Sequence, residues 1–219
     1  MKKIMFNDEF RLTQAVLNGR KTMTRRIIEI DECVRFPIIR FRPLENWEKK
    51  VVNPNYVFNG HIYAVYNELD LLCHLVKPRY EIGEVVAIAQ SYKDSGYSPD
   101  SLDRHPKDLS VRGLMKDSAG WNNKMFVKSY ACRHHIKIVN VKIERLQDIS
   151  DEDCLKEGVI HAYTDNNGIK IYHTPHTKRG YLSTDVAQQA FSFLIDKVSG
   201  KGTWESNPFV FAYEFVLVD

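Results

Sequence analysis

The sequence predicts an α+β protein, a mixed and mainly antiparallel β-barrel with flanking helices, formed as a single domain over residues 1–219. Strand patterns and helix patterns do not alternate regularly, which argues against a doubly wound parallel sheet. The chain closes with a nearly continuous apolar run at residues 209–217, which is typical of a strand in the middle of a sheet or barrel. Apolar residues recur at helical spacing over residues 186–198, which predicts a helix that stops at Gly200.

The beginning of the chain predicts a helix followed by a strand. Asn7 or Asp8 can cap a helix that runs to Asn18, and Gly19 suits the position just beyond its end. Residues 22–28 then predict an extended strand.

The middle of the chain predicts two strands and a short helix. Residues 85–89 predict a buried strand, and residues 136–146 predict a longer one. The parity of the apolar positions changes at residues 138–139, which predicts a bulge or a register change. Ser150 then opens a short helix that ends at Gly158.

Three segments interrupt this pattern and are interpreted as insertions. They cover about residues 31–76, 93–120 and 160–181. The first contains one strand-like run at residues 62–66, whereas residues 164–181 predict a polar loop.

Composition limits the classes of protein. Hydrophobic residues make up 43% of the chain, which is enough for a core. No apolar run is long enough to span a bilayer, and the first residues lack the apolar stretch of a signal peptide. The four cysteines are far apart, without a CxxC pair, so we expect no zinc or disulfide framework and a cytoplasmic protein.

Charge is distributed unevenly. The net charge is +3, but the first 50 residues hold 12 Lys and Arg against 7 Asp and Glu. Such a segment can attract phosphates or form an ordinary solvated surface, and the sequence leaves both interpretations open.

Residues 19–26, GRKTMTRR, are the most informative stretch. A lysine beside threonines can bind an anion or activate a hydroxyl nucleophile. Either chemistry indicates a polar substrate, one related to nucleotides.

The order of motifs along the chain resembles the ASCH domain, a relative of the PUA domain, in the longer form found in bacteria and their phages. The motifs are residues 19–26 (GRKTMTRR), 80–86 (YEIGEVV), 121–126 (WNNKMF), 144–150 (ERLQDIS), 157–158 (EG) and 202–210 (GTWESNPFV). The resemblance implies a PUA-like β-barrel with a cleft and an association with RNA or nucleotides.

One branch of that family is similar to N4-acetylcytidine amidohydrolases, which implies catalytic roles for Lys21, Thr24 and Glu157, with Arg26 beside them. Longer relatives carry a glutamate where this chain has Gln90. That difference argues against catalysis if the carboxylate is needed.

Amide hydrolysis requires a nucleophile, a proton acceptor and a proton donor. We expect Thr24 to supply the hydroxyl, Lys21 to accept its proton if burial or nearby arginines lower the lysine pKa, and Glu157 to act as acid and base. In an extended segment Lys21 and Thr24 point to opposite faces, so a turn between them is required.

Substrate binding is assigned to residues around this segment and at the ends of the two middle strands. They are Arg20, Thr22, Arg25, Arg26, Gln90, Tyr92 and Arg133. Tyr92 is the candidate for stacking on a base. The eight histidines show no ligand spacing, so we expect no metal and no cofactor.

Three functions remain. The first is an RNA- or nucleotide-binding module without turnover. The second is an amidohydrolase acting on an acylated pyrimidine nucleoside such as N4-acetylcytidine. The third is a phage-derived accessory protein whose insertions bind another protein.

Overall fold

The structure is a computed structural model. It describes residues 1–30, 38–45, 61–96, 122–175, 177 and 180–218. The helices are α1 Leu12–Leu17, α2 Tyr92–Ser95, α3 Asp151–Glu157, α4 Ala187–Ser199 and α5 Thr203–Ser206. The strands are β1 Lys3–Ile4, β2 Met23–Ile27, β3 Ile38–Pro43, β4 Tyr63–Asn67, β5 Leu72–Val76, β6 Val85–Ile88, β7 His135–Arg145, β8 Ile160–Thr164, β9 Lys170–His173, β10 Ser183–Thr184 and β11 Phe209–Leu217.

A five-stranded sheet forms the centre of the fold, in the order β1-β6-β7-β11-β2. All its neighbours are antiparallel except β1, which runs parallel to β6. The apolar C-terminal strand β11 lies between β7 and β2, so its predicted place in the middle of a sheet is confirmed. The mixed α+β class with mainly antiparallel strands is confirmed as well.

A bulge interrupts β7 at the predicted position. Glu214 of β11 is paired with Asn140 and Phe215 with Ile138, so Val139 has no partner opposite it. The extra residue moves the apolar side chains from one parity to the other along the strand.

Two smaller sheets flank the main one. The first has the order β3-β4-β5 and lies within the predicted insertion 31–76, and the second has the order β10-β9-β8. Aromatic contacts join the first to the main sheet, with ring centroids 4.6 Å apart for Phe41 and Phe209 and 5.9 Å apart for Tyr63 and Phe211.

The two faces of β11 belong to different cores. Phe211 and Tyr213 lie in the larger core, together with Phe6 and residues of β4 and β6. Val210 lies on the other face, in a second core built by α3 and α4 that includes Phe191. Since successive side chains of a strand alternate, β11 supplies both cores.

Some sequence predictions need correction. The predicted polar loop 164–181 contains the turn of a β8–β9 hairpin, in which Asp165 Oδ1 accepts bonds from the backbone N–H groups of Asn167 and Ile169. The first helix begins later than predicted, because Asn7 caps a turn through Glu9 and Phe10 while α1 itself starts at Leu12.

Other predictions are left open by the described residues. Their strands form three separate sheets and none of these closes on itself, so the predicted barrel is not confirmed. Most of the predicted insertion 93–120 lies outside the described residues. No helix in the described ranges is both long and apolar enough to cross a membrane.

Candidate active site at the edge of the main sheet

The segment before β2 caps the C-terminal end of α3. Arg20 Nη1 donates to the Gly158 carbonyl at 2.8 Å, Lys21 Nζ to the Glu157 carbonyl at 2.7 Å, and the Thr22 N–H to the Lys156 carbonyl at 3.0 Å. Three consecutive residues thus satisfy three consecutive carbonyls that a helix end leaves unpaired. Two of the donors are cations, which the negative end of the helix dipole favours.

Lys21 is almost completely buried, with 2% of its surface exposed. Its Nζ donates to Glu157 Oε2 at 2.6 Å and to the Met23 carbonyl at 2.8 Å, besides the Glu157 carbonyl. Burial lowers the pKa of Lys21, although the attraction of Glu157 opposes this shift. The pKa of Lys21 is therefore shifted in the direction that the catalytic hypothesis requires.

Arg25 lies among three carboxylates. Its Nη1 is 3.2 Å from Glu157 Oε1, its Nη2 is 2.9 Å from Asp153 Oδ2, and its Nε is 2.9 Å from Glu144 Oε1. Burial acts to lower the pKa of Arg25, but the carboxylates of Glu157 and Glu144 outweigh this effect and raise the pKa overall. The Arg25 side chain has no exposed surface and is held by carboxylates, and its role in substrate binding stays a prediction.

Strand register explains why these charges meet. Ala212 of β11 is paired with Arg25 on one side and with Lys142 on the other, so the three side chains share one face. Lys142 Nζ is 2.8 Å from Asp153 Oδ2 and 3.0 Å from Glu144 Oε2. The small alanine leaves room for the carboxylates between the two cations.

A small cavity lies along the edge of β2, and we call it the edge cavity. It has a volume of about 40 Å³. Its lining residues are Met5, Phe6, Asn7, Leu12, Lys21, Thr24, Arg25, Arg26, Glu157, Phe191, Leu194, Ile195, Val198 and Ser199. The structure therefore brings all three predicted catalytic residues, Lys21, Thr24 and Glu157, to one cavity.

Lys21 and Thr24 reach the same cavity because Lys21 lies ahead of the strand that contains Thr24. Lys21 lies ahead of β2 and turns back to bond the Met23 carbonyl, so the opposite-face problem of an extended segment does not arise. Thr24 is 5% exposed, and its hydroxyl makes no hydrogen bond within the described part of the chain.

A larger groove adjoins the edge cavity, and we call it the basic groove. It has a volume of about 970 Å³ and shares Met5, Arg25, Arg26 and Ser199 with the cavity. Its Lys and Arg residues are Lys2, Lys3, Arg25, Arg26, Lys77 and Arg79. Glu29 is the one carboxylate among its described lining residues. Arg25 is buried among carboxylates, and Lys2 and Lys77 pair with Glu84 and Glu81. The positive surplus of the groove therefore rests on Lys3, Arg26 and Arg79.

Arg26 lies where cavity and groove meet. Its Nη2 donates to the Met5 carbonyl at 2.7 Å, which fixes the guanidinium beside the opening. Of the predicted binding residues, Arg26 is the one best placed for substrate. Arg20 and Thr22 lie next to the site and cap α3, but they do not line the cavity.

The other three predicted binding residues lie together, away from the edge cavity. Gln90 Oε1 accepts the Arg133 N–H at 2.6 Å, and Arg133 Nε donates to the Ser95 carbonyl at 3.1 Å. Tyr92 is 6% exposed and packs with Val127, so it is almost completely buried, and its role in base stacking stays a prediction. None of these side chains lines the cavity or the groove.

Two of the carboxylates that neutralise Arg25, Glu144 and Asp153, were not predicted from the sequence. The backbone N–H of Asp153 bonds Ser150 Oγ at 3.2 Å at the start of α3, and its carboxylate pairs with Arg25 and Lys142. The signal was the spacing: Asp153 and Glu157 are four apart on a helix, and Lys142 and Glu144 are two apart on a strand.

Comparison with known proteins gives no assignment. No family model matches this chain, and no curated protein or solved structure matches it either. In the described ranges no group of three His, Cys, Asp or Glu side chains is arranged to hold a metal ion.

Proposed function

We propose that the chain is a small amidohydrolase that removes an acyl group from a pyrimidine nucleoside such as N4-acetylcytidine. The observation that carries this proposal is the buried Lys21–Glu157 pair, 2.6 Å apart, in the wall of a cavity that also holds Thr24. A buried ion pair is a weak source of stability, because desolvation offsets most of its attraction. This pair lines the same cavity as the Thr24 hydroxyl, which has no hydrogen bond within the described residues, and this favours a role in catalysis.

The chemistry is proposed for the three side chains that line the edge cavity. A neutral Lys21 amine, which the lowered lysine pKa favours and which lies 2.6 Å from Glu157 Oε2, accepts the proton of the Thr24 hydroxyl. The Thr24 oxygen bonds to the acyl carbon, and the carbon–nitrogen bond breaks as Lys21 returns the proton to the leaving amine. Water then cleaves the ester, which releases the carboxylic acid and restores Thr24.

The position of Gln90 removes one argument against catalysis. Its side chain holds the Arg133 N–H and does not line the edge cavity. The glutamine in place of a glutamate therefore leaves the Lys21, Thr24 and Glu157 arrangement unchanged.

The fold relationship is proposed as well. We assign the chain to the ASCH type with a PUA-like arrangement of strands. The support is that three of the motifs, at residues 19–26, 144–150 and 202–210, run into or out of the adjacent strands β2, β7 and β11. Residues of the motifs at 19–26 and 157–158 line the edge cavity.

The test is release of cytidine from N4-acetylcytidine by the purified protein. Thr24→Val keeps the side-chain shape and removes the hydroxyl, and we expect turnover to fall by about 10²-fold or more. Glu157→Gln is expected to have a similar effect. Thr203→Val changes another buried threonine, which lies outside the cavity and whose hydroxyl donates to the Gly200 carbonyl, and is the control. Equal turnover in Thr24→Val and Thr203→Val would refute the proposed nucleophile.

The basic groove favours a second function, binding of RNA or nucleotides without turnover. Its surplus of cations predicts an affinity for labelled single-stranded RNA that falls as salt concentration rises. Arg26→Ala and Arg79→Ala should each weaken binding and reduce the salt dependence by about one released counterion. Lys201→Ala alters an exposed cation outside the groove and serves as the control. Binding without cytidine release would support this function over hydrolysis.

A further inference from the structure

The edge cavity has one polar end and one apolar wall. Lys21, Thr24 and Glu157 form the polar end. The buried part of the wall is formed by Phe6, Leu12, Phe191, Leu194 and Ile195, and the exposed Met5 and Val198 complete it. All five of the buried residues belong to the two cores, so this part of the wall is tightly packed on its far side.

The volume of the cavity limits what can enter it. A cavity needs about 10–15 Å³ to hold one water molecule, so a cavity of about 40 Å³ is small. An acetyl group has three heavy atoms. A pyrimidine nucleoside is far larger and needs the adjoining basic groove.

We infer that the edge cavity is an acyl pocket that restricts the substrate to short acyl groups, and that Ile195 sets the limit. This inference rests on the proposed hydrolase. In it the acyl methyl group lies against the apolar wall, the acyl carbon lies at Thr24, and the nucleoside extends past Arg26 into the groove. The pocket excludes longer chains because its wall cannot move without disturbing two cores.

Ile195 is the wall residue best suited to this role. Phe191 packs edge-on against Trp204 and lies 5.9 Å from the Arg25 guanidinium, so it supports the charged network. Leu194 and Leu12 belong to the main core. Ile195 is 8% exposed and lies at the margin of the second core, where truncation enlarges the pocket with the least loss of packing.

The experiment compares N4-acetylcytidine with N4-butyrylcytidine, which is longer by two methylene groups. The wild-type kcat/KM for the acetyl substrate should exceed that for the butyryl substrate by about 100-fold or more, because each methylene group contributes about 10-fold or more in a closed apolar pocket. Ile195→Ala should reduce this ratio by at least about 10-fold. Ile149→Ala removes the same atoms from the same core but does not line the cavity, and it should leave the ratio unchanged.

A binding measurement separates this inference from the proposed reaction. Calorimetry with Thr24→Val should show tighter binding of the acetyl nucleoside than of the butyryl one. If the wild type hydrolyses neither nucleoside but Thr24→Val still binds the acetyl nucleoside more tightly, the result supports the acyl pocket and refutes the hydrolase. Equal turnover of both nucleosides by the wild type, or an equal shift in Ile195→Ala and Ile149→Ala, would overturn the acyl pocket. Absence of both turnover and chain-length preference would overturn both.

Discussion

At the residue scale, Arg25 sets the orientation of Glu157. The guanidinium holds Oε1 of Glu157 at 3.2 Å and leaves Oε2 to Lys21 at 2.6 Å. Arg25 is held in turn by Glu144 and Asp153, so the Lys21–Glu157 pair is fixed by a second layer of charges. The network of these residues and Lys142 contains three cations and three carboxylates and is electrically balanced.

Asp153→Asn tests this second layer. Burial acts to raise the pKa of Asp153, but Lys142 and Arg25 lower it overall. We expect Asp153→Asn to lower the free energy of unfolding by about 2 kcal/mol at pH 7. Because the folded-state pKa lies below the unfolded value of about 3.9, this stabilisation is present above about pH 4 and is lost as pH falls through the folded-state pKa.

Urea unfolding at pH 7 and pH 3 measures the effect. The difference between wild type and Asp153→Asn should shrink at the lower pH. Asp151→Asn, an exposed position on the same helix, is the control. A difference that stays constant with pH would show that the Asp153 carboxylate is not stabilised by its partners.

At the element scale, the end of α3 and the start of β2 form one unit. Gly158 ends the helix with φ 115°, a backbone conformation that favours glycine. Its position lets Arg20, Lys21 and Thr22 reach the last carbonyls of the helix. The cap and the candidate active site therefore depend on the same turn.

Gly158→Ala should disturb this unit through both backbone strain and contact. A Cβ at position 158 would lie 3.1 Å from Leu12 Cδ2 and 3.9 Å from Lys21 Cδ. We expect a loss of about 2 kcal/mol in the free energy of unfolding, measured by urea titration. Gly168→Ala also has a positive φ, 82°, but its Cβ would meet nothing within 4 Å, so it should cost less. An equal cost at both positions would rule out the contact with Leu12.

Local signals predicted most of the elements. Three of these signals are the alternation in β7, the glycine at the end of α3 and the apolar run of β11. Each depends only on residues close together in the chain, so it can be recognised in the sequence. The β8–β9 hairpin was missed although residues 165–168, DNNG, have the composition of a turn. Strand β1 has only two residues and is held by β6, so no local pattern marks it.

The candidate site was predicted in part. Motif resemblance supplied Lys21, Thr24 and Glu157, and the structure brings them to one cavity. Gln90 and Tyr92 lie away from this cavity, and a position in the sequence does not show which side of the fold a strand end faces. The pairing of Arg25 with Glu144 depends on strand register, and a single sequence does not specify register between distant strands.

At the scale of the whole molecule, the edge cavity lies where two cores meet. The larger core covers one face of the main sheet, and the second core covers the other face. Strand β2 is at the edge of the sheet, so both cores end beside it. This position gives the cavity rigid walls on both sides. It also places the opening beside the basic groove, which runs along the face that carries Tyr213.

The location of Lys21 at a strand edge has a consequence for association between molecules. In the described part of the chain β2 pairs only with β11, and the Thr22 carbonyl accepts from the Phe215 N–H. The carbonyl of the next residue, Met23, therefore points away from β11 to the open side of β2, where it accepts a hydrogen bond from Lys21 Nζ. A strand edge without such protection is a template for pairing with another chain.

Lys21→Ala should therefore do more than abolish turnover. It uncovers an acceptor on the β2 edge and the last carbonyl of α3, and we expect concentration-dependent self-association on sedimentation velocity, absent from Thr24→Val. The lysine that we assign to proton transfer would then also keep neighbouring molecules from joining their sheets. If Lys21→Ala has the same association state as the wild type, α3 alone protects the edge. Aggregation in the variant would explain why a chemically reactive residue also serves the colloidal stability of the protein.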